Sequence, residues 1–248
     1  MHPTLTAVAP LGIPRDGHFQ VYAPNQNENV YTNLWTGPFY GYERVIETFE
    51  MTETPLRLKP IDIYYHTYSA SKPASLKALK KVYDWALSQP VLPLPASDYI
   101  RKVLDFNTLA IAREGDGWRI AGGDAVRTLR IPQRMGYPDI TRSRNVLGWW
   151  DEGKVRYVHL GGAPTSLLVL ADTLPSRPWI ARANGRIDAD PAGWTLTAAA
   201  PLEVEFGGAD RCSLLLDGKP APLAQRPAGY ATLKTAARSA RIEVRCAR

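Results

Sequence analysis

From Leu76 to Ala86 the apolar residues fall three and four positions apart: Leu76, Leu79, Val82, Tyr83 and Ala86. That spacing is one face of an α-helix and predicts a helix over 72–89. Ser71 is placed to cap it, and Pro73 sits in the first turn, where its missing N–H removes no helical bond. Just upstream, "PIDIYYHTY" (60–68) reads as a strand that ends at His66, where the chain turns. "GHFQVYAP" (17–24), with Phe19, Val21 and Ala23 on one face, reads as another strand. "YERVIETFEMTE" (42–53) has Val45, Ile46 and Phe49 at helical spacing, and "VLPLPA" (91–96) reads as a short strand. Ser97 or Asp98 then caps a further helix, "DYIRKVLDF". Strands and helices alternating in short steps predict parallel β/α units. Two or three such units cannot close a barrel, so upstream chain is expected to be missing.

The pattern changes after residue 106. "TLAIAREGDGWRIAGG" (108–123) reads as a hairpin turning at "EGDG". Short apolar runs follow at 8–12-residue spacing, separated by Gly, Asp and Pro, as in a β-sandwich. Two domains are therefore expected: residues 1–106, the C-terminal part of a β/α barrel, and residues 107–248, an all-β domain like a sandwich. The proline-marked passage "LPSRP" offers a subdivision near 175.

Charge supports the division. Residues 1–100 balance at −1 and residues 101–248 at +7, and 14 of the 24 aromatic residues lie in the first hundred. The basic residues of the second part are mostly arginines spread along predicted strands, with no basic run, zinc finger, helix-turn-helix or RNP pattern. Nucleic acid is not an expected partner. No apolar run approaches the roughly 20 residues of a membrane span. The opening "MHPTLTAVAPLGIPRDG" lacks the basic head and apolar core of a signal peptide.

His66 is the sharpest candidate for chemistry, because barrel enzymes build their sites at the C-terminal ends of strands. Alternation sets Asp62 and Tyr64 on its face and Ile63 and Tyr65 on the other. Asp62 lies about 13 Å back along such a strand, too far to orient the imidazole. A structural histidine bonding the next loop is the other reading. The loop "APNQNENVYTNLWTGPF" gathers Asn27, Glu28, Tyr31 and Trp35. Amides pair with hydroxyl and acetamido groups, and rings stack on pyranose faces. The same asparagines would serve an irregular loop equally well. Trp118, Trp149, Trp150, Trp179 and Trp194 form either a sugar platform or core. His2, His18, His66 and His159 stand far apart, and no H-x-x-x-H, H-E-x-x-H, C-x-x-C or G-x-S-x-G occurs. Cys212 and Cys246 are buried thiols in a reducing compartment, or a bridge from the last strand to its sheet in an oxidising one.

The stretches "YAPNQNENVYTNLWTGPFYGYERVIETFE" and "LKPIDIYYHTYSASKPASLKALKKVYDWA" resemble the C-terminal part of the deacetylase region of PelA-type (Pel exopolysaccharide) polysaccharide deacetylases. They are also similar to related galactosaminoglycan deacetylases. The resemblance is strong over residues 5–110 and looser to the end. It implies a distorted polysaccharide-deacetylase (β/α) barrel and removal of N-acetyl groups from an N-acetylhexosamine polymer, GalNAc-containing. A divalent ion, expected to be zinc, would be held by an aspartate and two histidines and would activate water. Those ligands belong to earlier strands, and this chain has neither the aspartate motif nor the H-x-x-x-H pair. It is therefore expected to bind no metal alone and to be inactive alone. Only His66 carries over, as the late-strand general acid. Asn27, Glu28, Tyr31, Trp35 and Tyr64 would touch substrate. The resemblance further implies a periplasmic or secreted protein, a Cys212–Cys246 disulfide, an acetylated hexosamine polysaccharide as partner, and contacts with other exopolysaccharide export proteins. A non-catalytic carbohydrate-binding or scaffold module of an export system is the alternative.

Overall fold

The computed structural model describes residues 11–22, 42–53, 60–65, 67–89, 91–122, 125–190, 192–210 and 212–246. The chain forms two compact units, Met1–Pro93 and Leu94–Arg248. The division lies upstream of the change in pattern near residue 106, so the helix that follows Pro95 belongs with the second unit.

In the first unit β1 (Leu11–Arg15) and β2 (His18–Tyr22) form an antiparallel hairpin. Asp16 and Gly17 turn it at φ 50° and 77°. Two left-handed residues in a row give the turn whose twist suits a hairpin. A 3-10 turn at Tyr42–Arg44 runs into α1 (Val45–Met51), and another at Thr67–Ser71 precedes α2 (Pro73–Ser88). The cap position of α2 falls on Lys72, beyond Ser71. Leu79, Val82 and Ala86 of α2 are buried, as are Tyr42, Val45 and Phe49. Ile61 and Ile63 pack on the cluster these residues form, and Trp85 stacks on Phe49 at 5.6 Å.

The second unit opens with α3 (Ala96–Thr108), with Pro95 in the cap position. Then come β3 (Ala110–Glu114), β4 (Gly117–Ala121), β5 (Thr128–Pro132), β6 (Tyr137–Pro138), β7 (Val146–Glu152), β8 (Val155–Leu160) and β9 (Thr165–Ala171). These make the sheets β3-β4-β9-β6 and β5-β8-β7. They are followed by β10 (Trp179–Ala183), β11 (Arg186–Asp190), β12 (Gly193–Thr197), β13 (Glu203–Gly207), β14 (Cys212–Leu216), β15 (Lys219–Ala221), β16 (Ala224–Arg226), β17 (Tyr230–Lys234) and β18 (Ser239–Cys246). Their sheets are β10-β13-β17-β16 and β11-β12-β18-β14-β15. The four small sheets are disposed in the manner of a four-bladed propeller, but they share cores in pairs. One core joins Ile120, Trp149, Val158 and Leu168 from the first two sheets. The other joins Ile180, Leu196, Phe206, Leu214 and Ile242 from the last two.

β7 and β10 connect the pairs. A Cβ on Gly148 would lie 2.2 Å from the Ile180 carbonyl oxygen, so only glycine permits this approach. Trp149 and Trp179 then stack with centroids 4.1 Å apart, and the Trp179 indole donates to the Trp149 carbonyl at 3.2 Å.

This architecture corrects the expected fold. Every strand pair among the described residues is antiparallel. The closing β/α units of a polysaccharide-deacetylase barrel followed by one sandwich-like domain are therefore not what forms: the protein is mostly small antiparallel sheets. The physical reason lies in two segments. Residues 60–65 alternate as a strand should, but no strand ladder includes them. Residues 91–95 hold two prolines, which cannot donate to a ladder, and are exposed. Alternation reports which side chains face a core; it does not supply a partner strand. Among the described residues no helix is long and apolar enough to cross a membrane.

Candidate functional site

The candidate site lies where residues 60–65 run up to α2. Ile61 and Ile63 anchor this segment on the helical core. Tyr65 meets Tyr83 of α2 edge-on, with ring centroids 6.3 Å apart and planes at 82°. The odd-numbered side chains thus turn towards the helices, as the two-residue alternation requires. Asp62 is half-buried, and Tyr64, Tyr65 and Tyr83 are exposed.

Burial raises the Asp62 carboxyl above the ordinary aspartate range, since a charged carboxylate loses hydration there. Burial also raises the Tyr83 phenol, helped by Tyr65 and by the negative charge of Asp62. The Lys81–Glu43 ion pair ties α2 to the 3-10 turn that starts α1. Together these give one acid and three phenols at the edge of a rigid helical support. Such a set offers donors and acceptors to a hydroxyl-bearing ligand and aromatic rings to its apolar faces.

Of the residues singled out from sequence, Tyr64 stands at this edge. His66, Asn27, Glu28, Tyr31 and Trp35 lie outside the described residues. Cys212 and Cys246 are joined by a disulfide across directly paired positions of β14 and β18. Of the five tryptophans, Trp149 and Trp179 are buried in the core of the second unit, and Trp118, Trp150 and Trp194 are partly buried. The spacing places Tyr83 in the buried helical stripe, and it is instead a surface member of the site. Its place on the rim of that stripe was the available signal. Among the described residues no three His, Cys, Asp or Glu side chains converge as metal ligands would. No protein-family model, curated protein or solved structure matches the chain.

Proposed function

We propose that this chain is a region of a metal-dependent polysaccharide de-N-acetylase acting on an N-acetylhexosamine exopolysaccharide, GalNAc-containing, with His66 as its general acid. The observation that carries the reading is the stretch 60–89. Its quoted residues resemble the deacetylases, and the residues just before His66 are anchored through Ile61 and Ile63 on a buried helical core. A proton donor needs such an anchor, because general acids work within hydrogen-bond reach of a fixed leaving group. Hydrolysis of an acetamide releases an amine, whose nitrogen must be protonated as the C–N bond breaks. An imidazole titrates near neutrality and can deliver that proton and be recharged by water.

A divalent ion would supply the nucleophilic water in such an enzyme. Asn27, Glu28, Tyr31, Trp35 and Tyr64 are proposed to touch the polymer. The proposed setting is periplasmic or secreted. The Cys212–Cys246 bond suits an oxidising compartment. The second reading, a carbohydrate-binding or scaffold module with export proteins as partners, is favoured by the Arg182 guanidinium over the Trp150 ring, 3.5 Å from its centroid, and by Tyr230 edge-on to the same ring at 5.6 Å.

His66→Ala in the intact parent enzyme tests the catalytic reading. Acetate release from acetylated hexosamine oligomers should fall by about 10²–10⁴-fold, the usual effect of removing a general acid. Metal content and thermal unfolding should be unchanged. Wild-type turnover in that variant would overturn the reading. A variant that lost its metal would make His66 a ligand. The present chain alone should release little or no acetate, and chelator-sensitive release would show a complete centre within it.

A further inference from the structure

One face of the sheet β10-β13-β17-β16 carries polar groups without hydrogen-bond partners beside Tyr230, whose ring packs against the core around Trp149 and Trp179. Val204, Phe206, Ala231 and Leu233 point into a core, so Glu205 and Tyr230 stand on the opposite face. The register sets Arg182 opposite Glu205, and Glu205 opposite Thr232, two residues from Tyr230. Opposite charges in facing positions of an antiparallel pair attract one another. Here they form no ion pair, and the Arg182 guanidinium lies over the Trp150 ring, 3.5 Å from its centroid. Among the described residues, the side chains of Arg182, Glu205 and Tyr230 have no hydrogen-bond partner. Tyr230 meets Trp150 and Trp179 edge-on at 5.6 and 6.4 Å. The Trp150 indole N–H is buried and lacks an acceptor, an arrangement that costs stability in a folded protein. A ligand reaches that N–H only by displacing a neighbour, and Arg182, exposed at the surface, is the neighbour lying on the ring.

The patch therefore combines donors from a guanidinium and a phenol with a single unpaired carboxylate, beside aromatic rings. An acetamido group matches that set. Its carbonyl accepts, its N–H donates, and its methyl packs on a ring. A de-N-acetylated hexosamine offers an ammonium instead, which has no carbonyl to accept from Arg182 and Tyr230 and no methyl to pack on a ring; its attraction to Glu205 is opposed by repulsion from Arg182.

We propose that this face is a binding subsite for an N-acetylhexosamine residue of a glycan, with Arg182 and Tyr230 donating to the acetamido carbonyl and Glu205 accepting its N–H. The choice of sugar rests on the glycan reading above, but the site does not depend on His66. It would hold the acetylated polymer and release it once deacetylated.

The test is calorimetric titration of the whole chain with oligomers of N-acetylgalactosamine and of N-acetylglucosamine, and with the same oligomers fully deacetylated. At least one acetylated oligomer should bind saturably, and its deacetylated form about tenfold more weakly or worse. Arg182→Ala and Glu205→Gln should each weaken binding by about tenfold, as loss of a charged hydrogen bond does, with the unfolding midpoint unchanged. His66→Ala should bind as wild type. Absence of saturable binding, equal binding of acetylated and deacetylated oligomers, or unaltered binding in both variants would overturn the proposal. Acetyl-selective binding together with full turnover of the His66→Ala parent removes the catalytic reading alone. Loss of turnover without acetyl-selective binding removes this subsite alone.

Discussion

His159 sits on β8 with Nε2 2.7 Å from the Ala181 carbonyl oxygen of β10. Burial lowers its basicity, the bond to Ala181 works against that, and Arg182 nearby lowers it further. The neutral ring is therefore the folded form, donating from Nε2. Above about pH 6.5, the ordinary imidazole value, folded and unfolded chains are both neutral and the full stability is present. As pH falls below that value the unfolded chain takes up the proton first. Stability then declines by at most about 1.4 kcal/mol per pH unit until the folded pKa is reached. Urea midpoints between pH 7.5 and 5 should fall in wild type and fall less in His159→Asn; parallel curves would reject the assignment. Arg156 is a buried charge, with its side chain 2% exposed. It donates twice to Asp151 at 2.7 Å, bonds the Gly136 carbonyl, and lies 4.1 Å from the Tyr137 ring centroid. Asp151→Ala would strand that charge. It should destabilise by about 3 kcal/mol, the lower end for a broken buried pair, because Asp151 is one-third exposed. The double variant Asp151→Ala, Arg156→Met should lose less in chemical denaturation. Both arginine and aspartate are visible as residue types, but the sequence shows Arg156 only as one of many arginines spread along predicted strands. Its burial depends on Tyr137 and Trp149, which reach it from other strands.

The element that best matched its pattern is α2, because a stripe of Leu79, Val82 and Ala86 can be buried in only one way. The "EGDG" hairpin likewise formed, as β3 and β4. Its signal is local, since a tight turn and two adjacent strands need no distant partner. The 60–65 and 91–96 segments show the opposite case. Their composition suited strands, but a ladder needs a second strand, and α1 and α2 pack directly with Ile61 and Ile63 between prolines and turns. The last strand, β18, lies between β12 and β14 and is fastened to β14 by Cys212–Cys246. Closing a loop of sequence separation 34 restricts the unfolded chain by about 3–4 kcal/mol in the chain-entropy account. Reduction, or Cys212→Ala with Cys246→Ala, should therefore lower stability by about that much. Equal denaturation midpoints with and without reductant would show that the bond does not stabilise the fold.

At the scale of the whole molecule the chain divides into two units between Pro93 and Leu94. Residues 91–97 are exposed throughout, and exposed connections are where proteases cut first. Brief proteolysis should therefore release a fragment starting near residue 94 and carrying the disulfide, identifiable by mass. Early cuts inside 146–171, with 91–97 intact, would contradict this. The change from a mixed to an all-β chain was legible in residue order, because hydrophobic period and turn residues are properties of neighbours in sequence. So was the helical face of α2. The antiparallel sheets, their sharing of cores in pairs, the approach of Gly148 to Ile180 and the gathering of Trp150, Arg182, Glu205 and Tyr230 were not legible. Those arise from contacts between residues tens of positions apart. Their free energy depends on which strands pair and which faces pack, and a one-dimensional pattern of apolar and polar residues is compatible with several such pairings.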